Sequence, residues 1–86
     1  MIVNFGVVSW DRPSMRLAPI FKTLSHEEIY QGWTFRVVDV EEASDIAEAC
    51  GISVNPTVKM YKNGEEIAEL LGATEEKLRV MFEENA

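Results

Sequence analysis

Asp11 and Ser14 lie three residues apart in the stretch Trp10-Asp11-Arg12-Pro13-Ser14 and are the first residues whose types could do chemistry. A serine attacks only when a base sits within hydrogen-bond reach of its hydroxyl. The sole histidine, His26, is twelve residues beyond Ser14, about 18 Å away along a helix. A serine–histidine–aspartate arrangement is excluded on that distance, and His26 is expected at the surface. The only cysteine is Cys50, so neither an intrachain disulfide nor a cysteine-built zinc site can form. A single cysteine of this kind is usually buried and inert; a regulatory or intermolecular thiol is the other reading. Glu41, Glu42 and Asp45 cluster, but their spacing fits no calcium loop, and a solvated helix start accounts for them. No metal and no cofactor is expected.

The elements that must position this stretch are legible on both sides of it. Ile2 to Val8 is an apolar, β-branched run, the pattern of a strand buried on both faces at the centre of a sheet. Gly6 within it marks a bulge or a close approach. From Pro13 to about Tyr30 the pattern is helical, with Met15, Ala18, Ile20, Phe21 and Leu24 near the three-to-four spacing. Pro13 suits a first helical turn. Asp11 suits the N-cap, where its oxygen accepts from the next amides and its charge meets the positive helix end. On that account Asp11 is simply a good cap and Ser14 an ordinary polar residue. Pro19 should kink the helix, and Gly32 ends the helical region.

Trp33 to Val40 reads as a second strand, with Phe35, Val37 and Val38 at least partly buried. Ser44 can cap a short helix running to Cys50, closed by Gly51. Val54-Asn55-Pro56 breaks the chain before a third strand, Thr57 to Tyr61. Asn63-Gly64 signals a two-residue hairpin turn into a fourth strand, Glu66 to Leu71. Thr74 caps a last helix, with Glu75 and Glu76 at its positive end and Leu78, Met81 and Phe82 facing inward. The first two strands, joined by a helix, should be parallel with a right-handed crossover; the last two form an antiparallel hairpin.

Eighty-six residues without linker, repeat or low-complexity segment make residues 1–86 one domain, of a size that buries roughly 60% of its unfolded surface. The net charge of −7 opposes binding to nucleic-acid backbones and anionic membranes, so neither is an expected partner. No apolar run approaches the ~20 residues of a membrane span, and no signal peptide is visible. With a single cysteine this fits a soluble protein of a reducing, cytoplasmic compartment.

Trp10-Asp11-Arg12-Pro13-Ser14, followed by Met15-Arg16-Leu17-Ala18-Pro19-Ile20, resembles the thioredoxin active site, Trp-Cys-Gly-Pro-Cys, with its kinked helix. Gly51-Ile52-Ser53-Val54-Asn55-Pro56-Thr57 resembles the family's cis-proline loop, Lys62-Asn63-Gly64-Glu65 its hairpin turn, and Leu71-Gly72-Ala73 the end of its last strand. The resemblance covers nearly the whole chain. It implies an α/β minimal thioredoxin fold: a four-stranded mixed sheet in the order β-α-β-α-β-β-α, flanked by helices and without the family's N-terminal strand and helix. That would leave the strand 34–40 at an open edge, where dimerisation or partner binding is expected. An N-terminal truncation is another account of it, and an edge guarded by Arg36 and Asp39 a third.

The departure lies at the sulfur positions, where Asp11 and Ser14 stand. A carboxylate is a poor nucleophile toward sulfur, and a hydroxyl cannot form a disulfide, so dithiol exchange is not expected and no residue is expected to be catalytic. The family's buried aspartate has Asn4 or Phe5 in its place; neither titrates. What the resemblance leaves is a shallow apolar platform of Trp10, Pro13, Val54, Asn55, Pro56, Gly72 and Ala73, able to pair with an extended polypeptide without sulfur. Gly72 would leave room for that peptide. Two functions follow: a redox-inactive module that binds partner polypeptides, or a thioredoxin of cell redox homeostasis, a protein-disulfide oxidoreductase, whose active site was altered by drift or engineering. A mere scaffold is a third, weaker one.

Overall fold

A computed structural model describes residues 1–86. Ile2–Gly6 forms β1, buried at every position. It is an interior strand: the sheet order is β2-β1-β3-β4, with β2 at Phe35–Asp39, β3 at Thr57–Lys62 and β4 at Glu65–Leu71. β1 runs parallel to β2, with Ile2 opposite Phe35 and Asn4 opposite Val37. It runs antiparallel to β3, with Ile2 opposite Met60 and Asn4 opposite Val58. The strand stops at Gly6 rather than Val8, because the chain must turn there. The Asp11 amide donates to Val7 O (3.0 Å) and closes that turn, leaving Val8 exposed.

Helix α1 spans Arg12–Ser25 and is followed by a separate 3-10 turn at Glu28–Tyr30; it does not run unbroken to Tyr30. His26 N donates to Thr23 O and Glu27 N to Leu24 O, the tighter bonding that ends a helix. Its buried stripe is Ser14, Leu17, Phe21 and Leu24. Met15, expected on that face, is 48% exposed, since Ser14 rather than its neighbour is pressed against β1. Helix α2 spans Ser44–Ala49, and its N-cap is Ala43, without a side-chain bond. Ser44 is thus not the cap. The turn before α2 is held instead by Asp39 Oδ1, which accepts from Glu41 N (2.8 Å) and Glu42 N (3.1 Å). Gly51, at φ +72, closes α2 in a Schellman pattern, with Gly51 N donating to Glu48 O and Ile52 N to Ala47 O.

Asn63 and Gly64 both have positive φ, 54 and 80, the type I′ turn that an Asn-Gly pair favours. The hairpin carries a shift between Met60 and Tyr61: Met60 faces Ala68 but Tyr61 faces Glu66, so Ile67 is an extra residue in β4. Helix α3 spans Glu75–Glu84, with Thr74 Oγ1 accepting from Lys77 N.

Strand alternation sorts the side chains into two unequal layers. Ile2, Val58 and Met60 face α1 and α3, forming one cluster with Leu17, Phe21, Leu24, Tyr30, Leu78, Met81 and Phe82. Phe35 packs edge-on against Phe21 (5.4 Å) and Phe82 (5.9 Å) within it. The other face is covered by α2 alone. Beside it runs an open apolar trough lined by Val3, Phe5, Val38, Ile46, Cys50 and Tyr61. Lys59 lies on this second face, its side chain 5% exposed, with Nζ 2.6 Å from Glu66 and 3.1 Å from Glu69. β2 is the outer strand, and Val37 on it is 62% exposed, more than the expected partial burial because no further strand adjoins it. No helix is long and apolar enough to cross a membrane.

Candidate functional site

The turn between β1 and α1 is built around Ser14, which is 1% exposed. Asp11 takes the extended backbone of an N-cap (φ −79, ψ 111). Its Oδ2 accepts from Ser14 N (3.1 Å) and from Ser14 Oγ (2.6 Å). Ser14 Oγ in turn accepts from Val7 N at 3.1 Å. Far from being an ordinary polar residue, Ser14 ties the helix start to the end of the strand. Gly6 makes this contact feasible: a Cβ there would lie 2.7 Å from Ser14 Oγ and 3.6 Å from Pro56 Cβ. Gly6 is therefore a close approach of backbone to side chain.

Pro56 is buried and the Asn55–Pro56 peptide is cis. Its carbonyl accepts from Gly72 N (3.4 Å), which joins the loop to the end of β4. Pro13, Pro56, Gly72 and Ala73 line one groove of about 330 Å³ together with Arg16 and Ile20. Trp10 lines an adjoining depression with Arg12, Met15 and Arg16, so Arg16 is shared by the two. Trp10 is 60% exposed, and its indole Nε1 donates to Glu41 Oε1 at 2.9 Å. Val54 is exposed on the loop and Asn55 half-buried; neither lines the groove. Gly72 has φ +61 and nothing within 4 Å of where its Cβ would be, so the space in front of it is open.

Asn4 and Phe5 separate cleanly. Asn4 shares the α1 face with Ile2 and Gly6 by alternation, and Phe5 points to the opposite face. Asn4 is 2% exposed, and its Oδ1 has no hydrogen-bond partner, an uncommon state for a buried carbonyl oxygen. Cys50 is half-buried rather than buried and stands in the trough beside α2. Burial, then the nearby Cys50 side chain, push the Tyr61 hydroxyl up to about 12. His26 is exposed beyond the far end of α1. No three His, Cys, Asp or Glu side chains converge as a metal site would require.

Arg16, which lines the groove, and Arg12, which lines only the depression beside it, are the residues that the sequence reading passed over. The available signal was their spacing of four on a helix, in a chain with only eight basic residues.

This strand–turn–helix, proline loop and glycine corner match known proteins along most of the chain. A family model described as Thioredoxin matches residues 1–84. Thioredoxin of Ictalurus punctatus is 42% identical over 79 residues, covering 92% of this chain and 73% of the relative. Thioredoxin H-type of Chlamydomonas reinhardtii is 37% identical over 87 residues, covering 100% of this chain and 74% of the relative. Among solved structures, thioredoxin of Plasmodium falciparum superposes with a TM-score of 0.89 at 38% identity, covering 99% of this chain and 84% of that one. The one cysteine of the present chain lies at the end of α2, outside the turn. The chain belongs to the thioredoxin family, as a member without the family's active-site cysteine pair.

Proposed function

We propose that this protein is redox-inactive and holds a partner polypeptide on the surface formed by Trp10, Pro13, the Val54–Pro56 loop, Gly72 and Ala73. The observation that carries this reading is the fate of Ser14. Its hydroxyl is buried and fully engaged, accepting from Val7 N and donating to Asp11. The position that would present sulfur is thus a structural knot, while the groove beside it remains open. Thiol–disulfide exchange needs a thiolate and a resolving thiol, and the turn offers neither. Main-chain pairing with an extended peptide needs no sulfur.

The relatives, all named thioredoxin, support a second reading: a disulfide oxidoreductase fold whose chemistry has been removed from this copy. Insulin disulfide reduction separates the two from an active enzyme. Turnover above that of free dithiothreitol would overturn the inactivity. Capture of the partner by the intact protein but not by Trp10→Ala supports the binding module, and equal capture by both removes it.

A further inference from the structure

We propose that the segment held at this groove is acidic: an extended stretch of another protein with carboxylates at alternate positions, seated on Arg12 and Arg16. This rests on the binding reading above and names the chemistry of its partner. The chain carries −7 overall and only eight Lys or Arg. Lys59 and Arg79 are consumed in ion pairs, Arg79 with Glu27 and Glu75. Arg12 and Arg16 are exposed, make no ion pair within the four the molecule contains, and flank the two largest apolar side chains exposed on this face. These are Trp10 and Met15, 60% and 48% exposed.

Arg12 is also the first residue of α1, whose first turn holds no acid. A cation there opposes the positive end of the helix dipole. A locally unfavourable choice of this kind is expected where function outweighs stability. None of the acids nearby pairs with either arginine: Asp11 bonds Ser14, Glu41 the Trp10 indole, and Glu75, which also lines the groove, Arg79.

The spacing selects the ligand. Four residues along a helix separate Arg12 from Arg16 by about 6 Å of rise. Side chains two apart on one face of an extended strand are about 6.6 Å apart. An acidic-x-acidic stretch therefore matches the pair, and the planar fork of each guanidinium suits a carboxylate. The next same-face residue of the ligand, if apolar, falls toward Trp10 and Met15. Acids more than about 10 Å away on the chain are screened at 0.1 M salt.

The test uses fluorescein-labelled extended peptides of the pattern Glu-x-Glu-x-Leu, their Gln-x-Gln-x-Leu and Lys-x-Lys-x-Leu counterparts, and fluorescence anisotropy. At about 0.1 M salt the Glu peptide should bind the full chain roughly five- to tenfold tighter than the Gln peptide, as two exposed pairs allow. That advantage should fall below about twofold at 0.5 M. R12E/R16E should invert the order, with the Lys peptide tightest and circular dichroism unchanged. Trp10→Ala should weaken the Glu and Gln peptides by a similar factor. Equal binding of Glu and Gln peptides by the wild type would overturn the acidic preference while leaving the groove reading intact. Binding of none of the peptides, or binding indifferent to Trp10→Ala, would overturn the groove reading and this inference with it.

Discussion

Ser14→Ala is the substitution that most directly examines the turn. Ser14 Oγ is the sole acceptor of the buried Val7 amide, and it donates to Asp11 at 2.6 Å. Removing it strands a buried N–H, at a cost of about 1–3 kcal/mol. The cap itself survives, because Asp11 Oδ2 also accepts the backbone amide of residue 14. For a domain of this size 1 kcal/mol moves the midpoint by about 4–8 °C, so the melting temperature should drop by roughly 5–20 °C. Asp11→Ala alone should cost about 0.5–2 kcal/mol through the lost cap. The double variant should lose less than the sum, since the two residues share one network, with a coupling of roughly 0.5–3 kcal/mol. Urea denaturation of the four proteins measures each value. A Ser14→Ala change below about 0.5 kcal/mol, or strict additivity with Asp11→Ala, would refute the view that this hydroxyl fastens helix to strand.

Asp11→Cys with Ser14→Cys should restore measurable insulin reduction if the remaining site is competent; a dithiol protein that forms the disulfide yet fails to reduce insulin would place the defect at Asn4, which cannot carry a proton. Lys59→Met should destabilise by about 1–3 kcal/mol, less than a fully buried pair because both glutamates reach water, and adding Glu66→Gln and Glu69→Gln should recover most of the loss in the same denaturation assay. Lys59 is held above its ordinary range: its two glutamate bonds outweigh the opposing effect of burial. Tyr61 is raised to about 12 by burial and by the nearby Cys50 side chain. Both groups grip their protons more tightly when folded, so stability should be intact below pH ~10 and decline as pH rises above it; Tyr61→Phe should flatten that decline in a pH series of urea midpoints. Val37→Lys, on the outer strand, should change stability by no more than about 0.5 kcal/mol and abolish any concentration-dependent dimer seen by sedimentation.

Local signals carried the reading furthest where one residue type has one physical use. Asn63-Gly64 meets the φ demands of its turn, Thr74 finds Lys77 N, and Asp11 finds Ser14 N. The errors arose where a distant element decides. The α1 periodicity put Met15 in the core and passed over Leu17; the contact of Ser14 with Gly6, eight positions upstream, turns Leu17 inward and Met15 out. Ser44 looked like a cap because it precedes a helical pattern, but Asp39 organises that turn from the end of β2. The choice between Asn4 and Phe5 for the aspartate's place is not written in the chain alone, since only pairing with Val58 and Val37 fixes which one faces α1. Within the site, Pro13, Pro56, Gly72 and Ala73 do converge, whereas the arginines escaped notice because a solvated helix face is the usual reason for such spacing.

Ile67 has a role out of proportion to its own contacts. Glu66 and Glu69 are three apart, and in a regular strand they would look in opposite directions. The single supernumerary residue resets the odd–even phase of β4, so that one acid pairs across from Tyr61 and the other from Lys59. Both then grasp the same ammonium group. If β4 ran regularly through Ile67 without the bulge, Glu66 would turn away from that grip and the hairpin's two halves would fall out of step; deleting Ile67 would instead leave the two glutamates two apart, on one face of a regular strand. The bulge acts as a timing peg, and the buried lysine records whether the hairpin has closed in phase.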